Sequence, residues 1–379
     1  MQKIIRAHLV LGEPLPFSIY DENGRLLLRH GMVITMPGQI ERILARGSLR
    51  DETENPADAR SLQAHQAAPP EDRTPPFEQM GTLMLNLKHV IGTVLKSPEQ
   101  IDLSARVRKM ARAIQDICLE DVDSALAAPC LDFQNPYIVV HQMMGAVLTE
   151  LIALRKVVAQ EDRLSMICAA LTRDLGQMSM QMELDNTAGP LSAGLLSRMH
   201  QHPNQSHDIL VRCGVVDAIW LQTVRAHHER LNGSGYPAGL KAEQISLGAR
   251  ILAVADIYSA MEKPRPYRNK AHFPQNALKE IYLKKDAEID GEMAHILINQ
   301  IGLLPPGTIV KLKCGEIAVI KSPTVKAEGA TVYSIYGKSG MVLPEPMRRE
   351  TTQPGYEITG LLPYSECRSA SIMIKRIWI

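Results

Sequence analysis

The chain is poor in aromatic residues, with four Phe, two Trp and ten Tyr among 379 residues. Its core must therefore be built mainly from aliphatic side chains and from its 18 methionines, which favours helices over sheets. It lacks any strong charge balance: 42 Lys and Arg against 41 Asp and Glu leave a formal net charge of +1. That argues against a broad nucleic-acid-binding surface and a polybasic membrane anchor, and leaves room for a local basic pocket. It has no Cys-x-x-Cys pair. Cys118, Cys130, Cys168, Cys213, Cys314 and Cys367 lie far apart and read as free thiols of a reducing compartment. No uninterrupted apolar run reaches the ~18 residues of a spanning helix. The opening MQKIIRAHLVLGEPLPF has too short an apolar stretch for a signal peptide, and no cleavage site follows. These absences point to a cytoplasmic protein with no membrane partner.

What is present falls into segments. In residues 1–51, two apolar runs flank Asn23-Gly24 in FSIYDENGRLLLRHGMVI, a hairpin signal, and QIERILARG adds a helical piece. This is a small N-terminal α/β module. Residues 52–77 carry five prolines and few large apolar residues and read as a linker. Residues 78–304 have helical periodicity: Leu103, Val107, Met110, Ile114 and Ile117 form an amphipathic stripe, as do Val140, Met144, Val147 and Leu151. The first stripe suits a homodimer helix pair, although an internal packing face is the commoner explanation. Residues 305–379 turn β-rich, with TIVKLKCGEIAVIKS around a Cys314-Gly315 turn, ATVYSIYG, and ASIMIKRIWI as further strands. The expected architecture is multidomain α+β. A central all-α helical bundle (core about 137–290) is flanked by the N-terminal module and a small C-terminal β-rich domain.

Chemistry-bearing residues concentrate in the helical part: His141, Asp174, His202, the pair His227-His228, and Asp256. Neutral imidazoles and carboxylates form the ligand set of Fe, Mn or Zn, and a carboxylate can bridge two ions. Neighbours on a helix point to different sides, so His227 and His228 serve one site only if a helix end is packed against it. Taken singly, each histidine is more often a core or surface residue. Spacing alone leaves a metal site and a purely structural role equally open.

The segment HHERLNGSGYP (227–237), continuing through AGLKAEQISLGARILAVADIYSAMEKPRPYR, closely resembles the HD-GYP family, metal-dependent phosphodiesterases of cyclic di-GMP in bacterial signalling. The likeness is most specific over 227–268 and looser over 137–210. It implies an HD-type helical domain with one or two divalent ions, Fe or Mn. It implies His141, Asp174 and Asp256 as ligands of a first ion, and Asp174, His202, His227 and His228 as ligands of a second. Tyr236 and Pro237 match the GYP loop, and Arg265 and Arg268 match positions that contact the nucleotide. Two ions can polarise the phosphoryl oxygens and lower the pKa of water; the arginines offset phosphate charge.

The departures carry equal weight. Arg173-Asp174 stands where the family has His-Asp, so a neutral ligand is replaced by a cation that does not deprotonate in proteins. Gln177 replaces a phosphate-binding lysine beside the catalytic Asp174, Tyr137 an acidic ligand, and Ser259 an aspartate. Arg173 is expected either to turn outward or to fill the first-ion space with its own charge, paired to Asp174 or Asp256. The reading is therefore an HD-GYP protein with a degenerate metal site and weak or absent hydrolysis. The alternative is a catalytically silent sensor or adaptor whose GYP loop docks a signalling protein. His200 and His207 read as solvent-facing, and MSMQMELD (178–185) as packing.

Overall fold

The computed structural model describes residues 74–378 apart from 188, 262–272 and 323–328, together with residues 2–3, 9, 19–21, 26–28 and 47–49 of the N-terminal segment. The chain divides into two compact units, Met1–Arg73 and Thr74–Ile379. In the first, β1 (Gln2–Lys3), β2 (Ile19–Asp21), β3 (Leu26–Leu28) and β4 (Gly47–Leu49) form a sheet in the order β1-β4-β2-β3. The antiparallel pairing of β2 with β3 across Asn23-Gly24 is the expected hairpin. The helix expected at QIERILARG lies outside the described residues.

The second unit opens with α1 (Pro76–Lys96). Its first-turn proline has the fixed φ a helix start needs, and Met80, Met84, Leu87, Ile91 and Val94 bury one face. In α2 (Leu103–Glu120) the Asp102 side chain caps the helix by accepting from the Ala105 N–H. Its stripe from Leu103 to Ile117 is buried within the same unit, which removes it as a surface for a homodimer. Next come α3 (Val122–Cys130), capped by Asp121, and α4 (Tyr137–Arg155). A helix buried all round sits at the centre of its domain. That holds for α4, which packs against α5 (Gln160–Thr172) and α10 (Leu247–Met261). Among the described residues α4 alone is long and apolar enough to cross a membrane, which the residue-by-residue reading missed because His141, Gln142, Thr149 and Glu150 interrupt it; 89% of it is buried inside the protein.

Between α5 and α10 run a 3-10 turn at Leu175–Met180, α6 (Gln181–Asn186), α7 (Ala193–His200), α8 (His202–Arg212) and α9 (Ala218–Ala226). Met180 and Leu184 of the methionine-rich stretch bury against Leu195, so that stretch does pack. Helices α11 (Pro274–Lys284) and α12 (Gly291–Ile301) complete the bundle.

An antiparallel five-stranded sheet follows, in the order β8-β7-β6-β5-β9. Its strands are β5 (Ile309–Leu312), β6 (Ile317–Ile320), β7 (Thr331–Tyr336), β8 (Val342–Glu350) and β9 (Ile358–Leu362). β5 and β6 form the hairpin about Cys314-Gly315. The sheet, set apart as a domain in the sequence reading, shares its core with the helices: Ile309, Val319 and Ile335 join their cluster, and Trp378 stacks on Phe77 at 5.2 Å. ASIMIKRIWI is not a strand. Cys367, Ala370, Ile374 and Ile377 are buried at spacings of three and four, a helical period, and Ser371–Arg376 is helix α13.

Candidate functional site

Six elements deliver the predicted residues to one place. His141 lies near the start of α4, and Asp256 is in α10. Arg173 caps the C-terminus of α5, and Asp174 opens the following turn. His202 begins α8, directly against that turn. A Cβ on Gly176 would stand 2.5 Å from the His202 carbonyl oxygen, so only glycine lets α8 approach this closely. Ser206 ties the two further, donating to the Arg173 carbonyl (2.6 Å) and accepting from the Gly176 N–H (2.8 Å). His227 caps α9 and His228 lies just beyond. The chain leaves the helix there, which is how adjacent residues reach one site.

Arg173 does not turn outward. Its side chain is 0% exposed, and each guanidinium nitrogen has an acceptor: Nε donates to Asp256 Oδ1 (3.0 Å), Nη1 to the Ala170 carbonyl (2.6 Å) and Nη2 to the His141 carbonyl (3.2 Å). Nε is also 3.5 Å from Asp174 Oδ2. His141 Nε2 lies 3.1 Å from Asp256 Oδ1 and 3.7 Å from Asp174 Oδ2. This half of the site is closed by its own hydrogen bonds. Burial alone would raise both carboxyl pKa values. For Asp174 the Arg173 charge and the His202 hydrogen bond outweigh it, and for Asp256 the His141 hydrogen bond and Arg173 do. Both stay well below the usual carboxylate range and are ionised at neutral pH.

The other half is arranged differently. His202 Nδ1 lies 2.6 Å from the Met199 carbonyl, and His227 Nδ1 lies 2.7 Å from the Val224 carbonyl. A carbonyl only accepts, so each Nδ1 carries the proton, and in the neutral ring each Nε2 is left with a lone pair. These two Nε2 atoms face each other at 3.3 Å. Burial, and then His202, push the His227 pKa down to about 4. His228 is also held well below its usual value, by burial and by His227. The ligand atoms of His202, His227 and His228 all lie within 4.8 Å of one another, and Asp174 Oδ1 is 3.4 Å from His202 Nε2. Imidazoles fixed through Nδ1–H to backbone carbonyls are the usual outer support of metal-binding histidines. Two such rings, together with His228 and a carboxylate, fit a divalent first-row metal.

Above these residues is a cavity of about 260 Å³, also bordered by Tyr137, Gln177, Arg230, Tyr236, Glu280 and Lys284. The GYP loop forms one wall. It is held by Glu229, a buried carboxylate that accepts from the Ala238 N–H (2.7 Å) and the Leu240 N–H (2.9 Å). Tyr236 lies tilted against His228 at 4.7 Å and stacks on His200 at 4.2 Å. His200 is thus partly covered by the loop rather than simply facing solvent. Gln177 contacts Gln181, and Ser259 bonds back to the Asp256 carbonyl.

The family model described as "HD domain" matches residues 126–293. Those residues are an HD domain. The chain is 32% identical over 152 residues to the cyclic di-GMP phosphodiesterase PA4108 of Pseudomonas aeruginosa, covering 40% of this chain and 36% of that one. It is 31% identical over 210 residues to the 3'3'-cGAMP-specific phosphodiesterase 3 of Vibrio cholerae, covering 54% of this chain and 45% of that one. The chain therefore spans less than half the length of these two relatives. Among solved structures, Bd1817, an HDG"Y"P protein from Bdellovibrio bacteriovorus, shares the fold, with TM-score 0.51 and 15% identity over 77% of this chain and 97% of that one.

The structure gathers His141, Asp174, His202, His228 and Asp256 around one cavity, with Tyr236 and Gln177 also lining it; Arg173 and His227 are buried directly against these residues, and Pro237 borders a neighbouring pocket. Arg265 and Arg268 lie outside the described residues. Sequence reasoning missed Glu229, Arg230, Lys284 and Gly145. Glu229 and Arg230 follow the double histidine directly. Lys284 and Gly145 carried no signal, because their importance comes from helices packed across the site.

Proposed function

We propose that this HD domain binds a divalent metal, Fe or Mn, through His202, His227, His228 and Asp174. A cyclic dinucleotide, cyclic di-GMP first among them, would occupy the cavity above, with weak or absent hydrolysis. The facing Nε2 lone pairs of His202 and His227, 3.3 Å apart beneath the GYP loop, carry this reading. A bound divalent ion would polarise a phosphoryl oxygen and lower the pKa of water. The ionised Asp174 and the neutral His227 and His228 are already in the protonation states that metal binding requires. Tyr236 and Pro237 shape the wall against which the nucleotide lies, with Arg265 and Arg268 as its phosphate and guanine contacts. Gln177 offers an amide where a lysine would supply charge, so phosphate is held less strongly in the transition state.

A second reading is favoured by one observation, the closure of the His141–Asp256 half by Arg173. On that reading the domain senses a cyclic dinucleotide without cleaving it and signals to a protein partner through the GYP loop. Turnover separates the two. The protein is purified anaerobically with Fe or Mn, given cyclic di-GMP or 3'3'-cGAMP, and the linear products are quantified by chromatography beside Asp174→Ala. Product above that blank supports the enzyme; binding without product supports the sensor. Neither binding nor product refutes both.

A further inference from the structure

Gly145 lies on α4, one helical turn beyond His141. A Cβ placed on it would stand 2.7 Å from Arg173 Nη1, 3.0 Å from Nη2 and 3.1 Å from Cζ. The guanidinium fills the volume that any other residue would need for its own side chain. Within this notch it is fully engaged, with Asp256 and two backbone carbonyls accepting from its three nitrogens. Its direction is therefore fixed at both ends, by the missing side chain behind it and by the carboxylate in front.

The notch places a permanent cation against the two buried carboxylates of the pocket. Asp174 and Asp256 are the two carboxylates of the pocket and Arg173 is the cation set against both, its Nε donating to Asp256 Oδ1 and standing 3.5 Å from Asp174 Oδ2, so one carboxylate charge is left unbalanced. One divalent ion then more than neutralises what remains. A second would have to sit beside a guanidinium that does not deprotonate, and it would have to take Asp256 Oδ1 away from both Arg173 and His141.

We infer that Gly145 and Arg173 together replace one metal ion of this pocket. The HD domain then takes a single divalent cation, at His202, His227, His228 and Asp174, and Gly145 is the positioning residue that makes the replacement fit. This rests on the metal-binding reading above. It goes further in stating that the number of ions is set by a side chain and the notch that seats it.

The test is metal content. The full chain is loaded anaerobically with Mn(II), desalted and assayed by elemental analysis, and the electron paramagnetic resonance spectrum is recorded. About one Mn per chain with an uncoupled single-ion spectrum is expected for the unmodified protein, and about two with a coupled spectrum for Arg173→His. Gly145→Ala should push the guanidinium toward the pocket and weaken Mn binding about tenfold, yet leave it unchanged in the Arg173→His background. Two coupled ions in the unmodified protein would overturn the inference, and that measurement needs no variant. So would equal effects of Gly145→Ala in both backgrounds. No Mn in either the unmodified protein or Arg173→His would instead overturn the metal-binding reading, and this inference with it.

Discussion

The two halves of the pocket are built from the same residue types and reach opposite solutions. In one, His141 Nε2 and Arg173 Nε both turn on Asp256 Oδ1, so that carboxylate is engaged inside the protein. In the other, His202 and His227 are fixed through Nδ1 so that their Nε2 atoms meet with nothing between them. The difference comes from the backs of the rings. His141 Nδ1 has no hydrogen-bond partner, so its proton can sit on Nε2 and be given to Asp256. His202 and His227 have carbonyls behind them and therefore present lone pairs. A ligand set is defined as much by what lies behind each ring as by the ring itself.

The comparison can be broken most directly on the open half. His227→Ala should weaken Mn binding by more than about 100-fold, beyond the 10–100-fold typical of losing an outer-shell partner, as read by equilibrium dialysis. Unchanged affinity would mean the facing lone pairs are not a metal site. The closed half is probed by Arg173→Met, which leaves Asp256 and Asp174 buried without their cation. Removing one partner of a buried pair costs about 3–5 kcal/mol. Urea unfolding in EDTA should show that loss, with part of it recovered when Mn is added. A variant as stable as the parent would show that Arg173 is not what balances these carboxylates.

A smaller effect is expected at Glu229, which serves neither half directly. Glu229→Gln keeps one carbonyl oxygen for two backbone N–H groups and should cost about 1–2 kcal/mol of loop order. Nucleotide Kd should rise while Mn content stays constant; a parallel loss of metal would show that the loop and the histidines are not separable. The smallest test compares carboxylates. Burial, and then Asp121, raise the pKa of Asp123 to about 6, with Ser322 and Lys321 only partly opposing. Asp174 is shifted down chiefly by the Arg173 guanidinium, and Asp256 by its His141 hydrogen bond and then by Arg173. For Asp123 the folded state holds the proton more tightly than the unfolded chain. Its contribution is therefore fully present below about pH 3.8 and is lost as pH rises through about 6. Asp123→Asn should raise stability at pH 7.5 by about 1–2 kcal/mol, allowing for solvent screening, and by nearly nothing at pH 3.5. Equal gains at both values would remove titration as the cause.

Much of this was legible in the sequence, for reasons that differ by residue. The α2 stripe and the β5–β6 hairpin follow from periodicity and a Gly-containing turn, both local signals. The convergence of His141, Asp174, His202, His227, His228 and Asp256 followed from a motif whose spacing is tied to its helices. Whether Arg173 points inward or outward was not legible, because it depends on Gly145, 28 positions earlier in the chain, and on helices packed side by side. The C-terminal helix was misread because IMIKRIWI is rich in β-branched residues. Its burial at spacings of three and four appears only once it lies against the core.

A guanidinium written into the chain differs in kind from an ion acquired from the surroundings. It cannot be stripped by a chelator, exchanged for a competing metal, or oxidised when oxygen rises. The Asp256 half of the pocket is therefore set once, at folding, by the Arg173 contacts. Scarcity or surplus of transition metal in the environment leaves that half unaltered, and any response to metal supply is confined to the side where His202 meets His227.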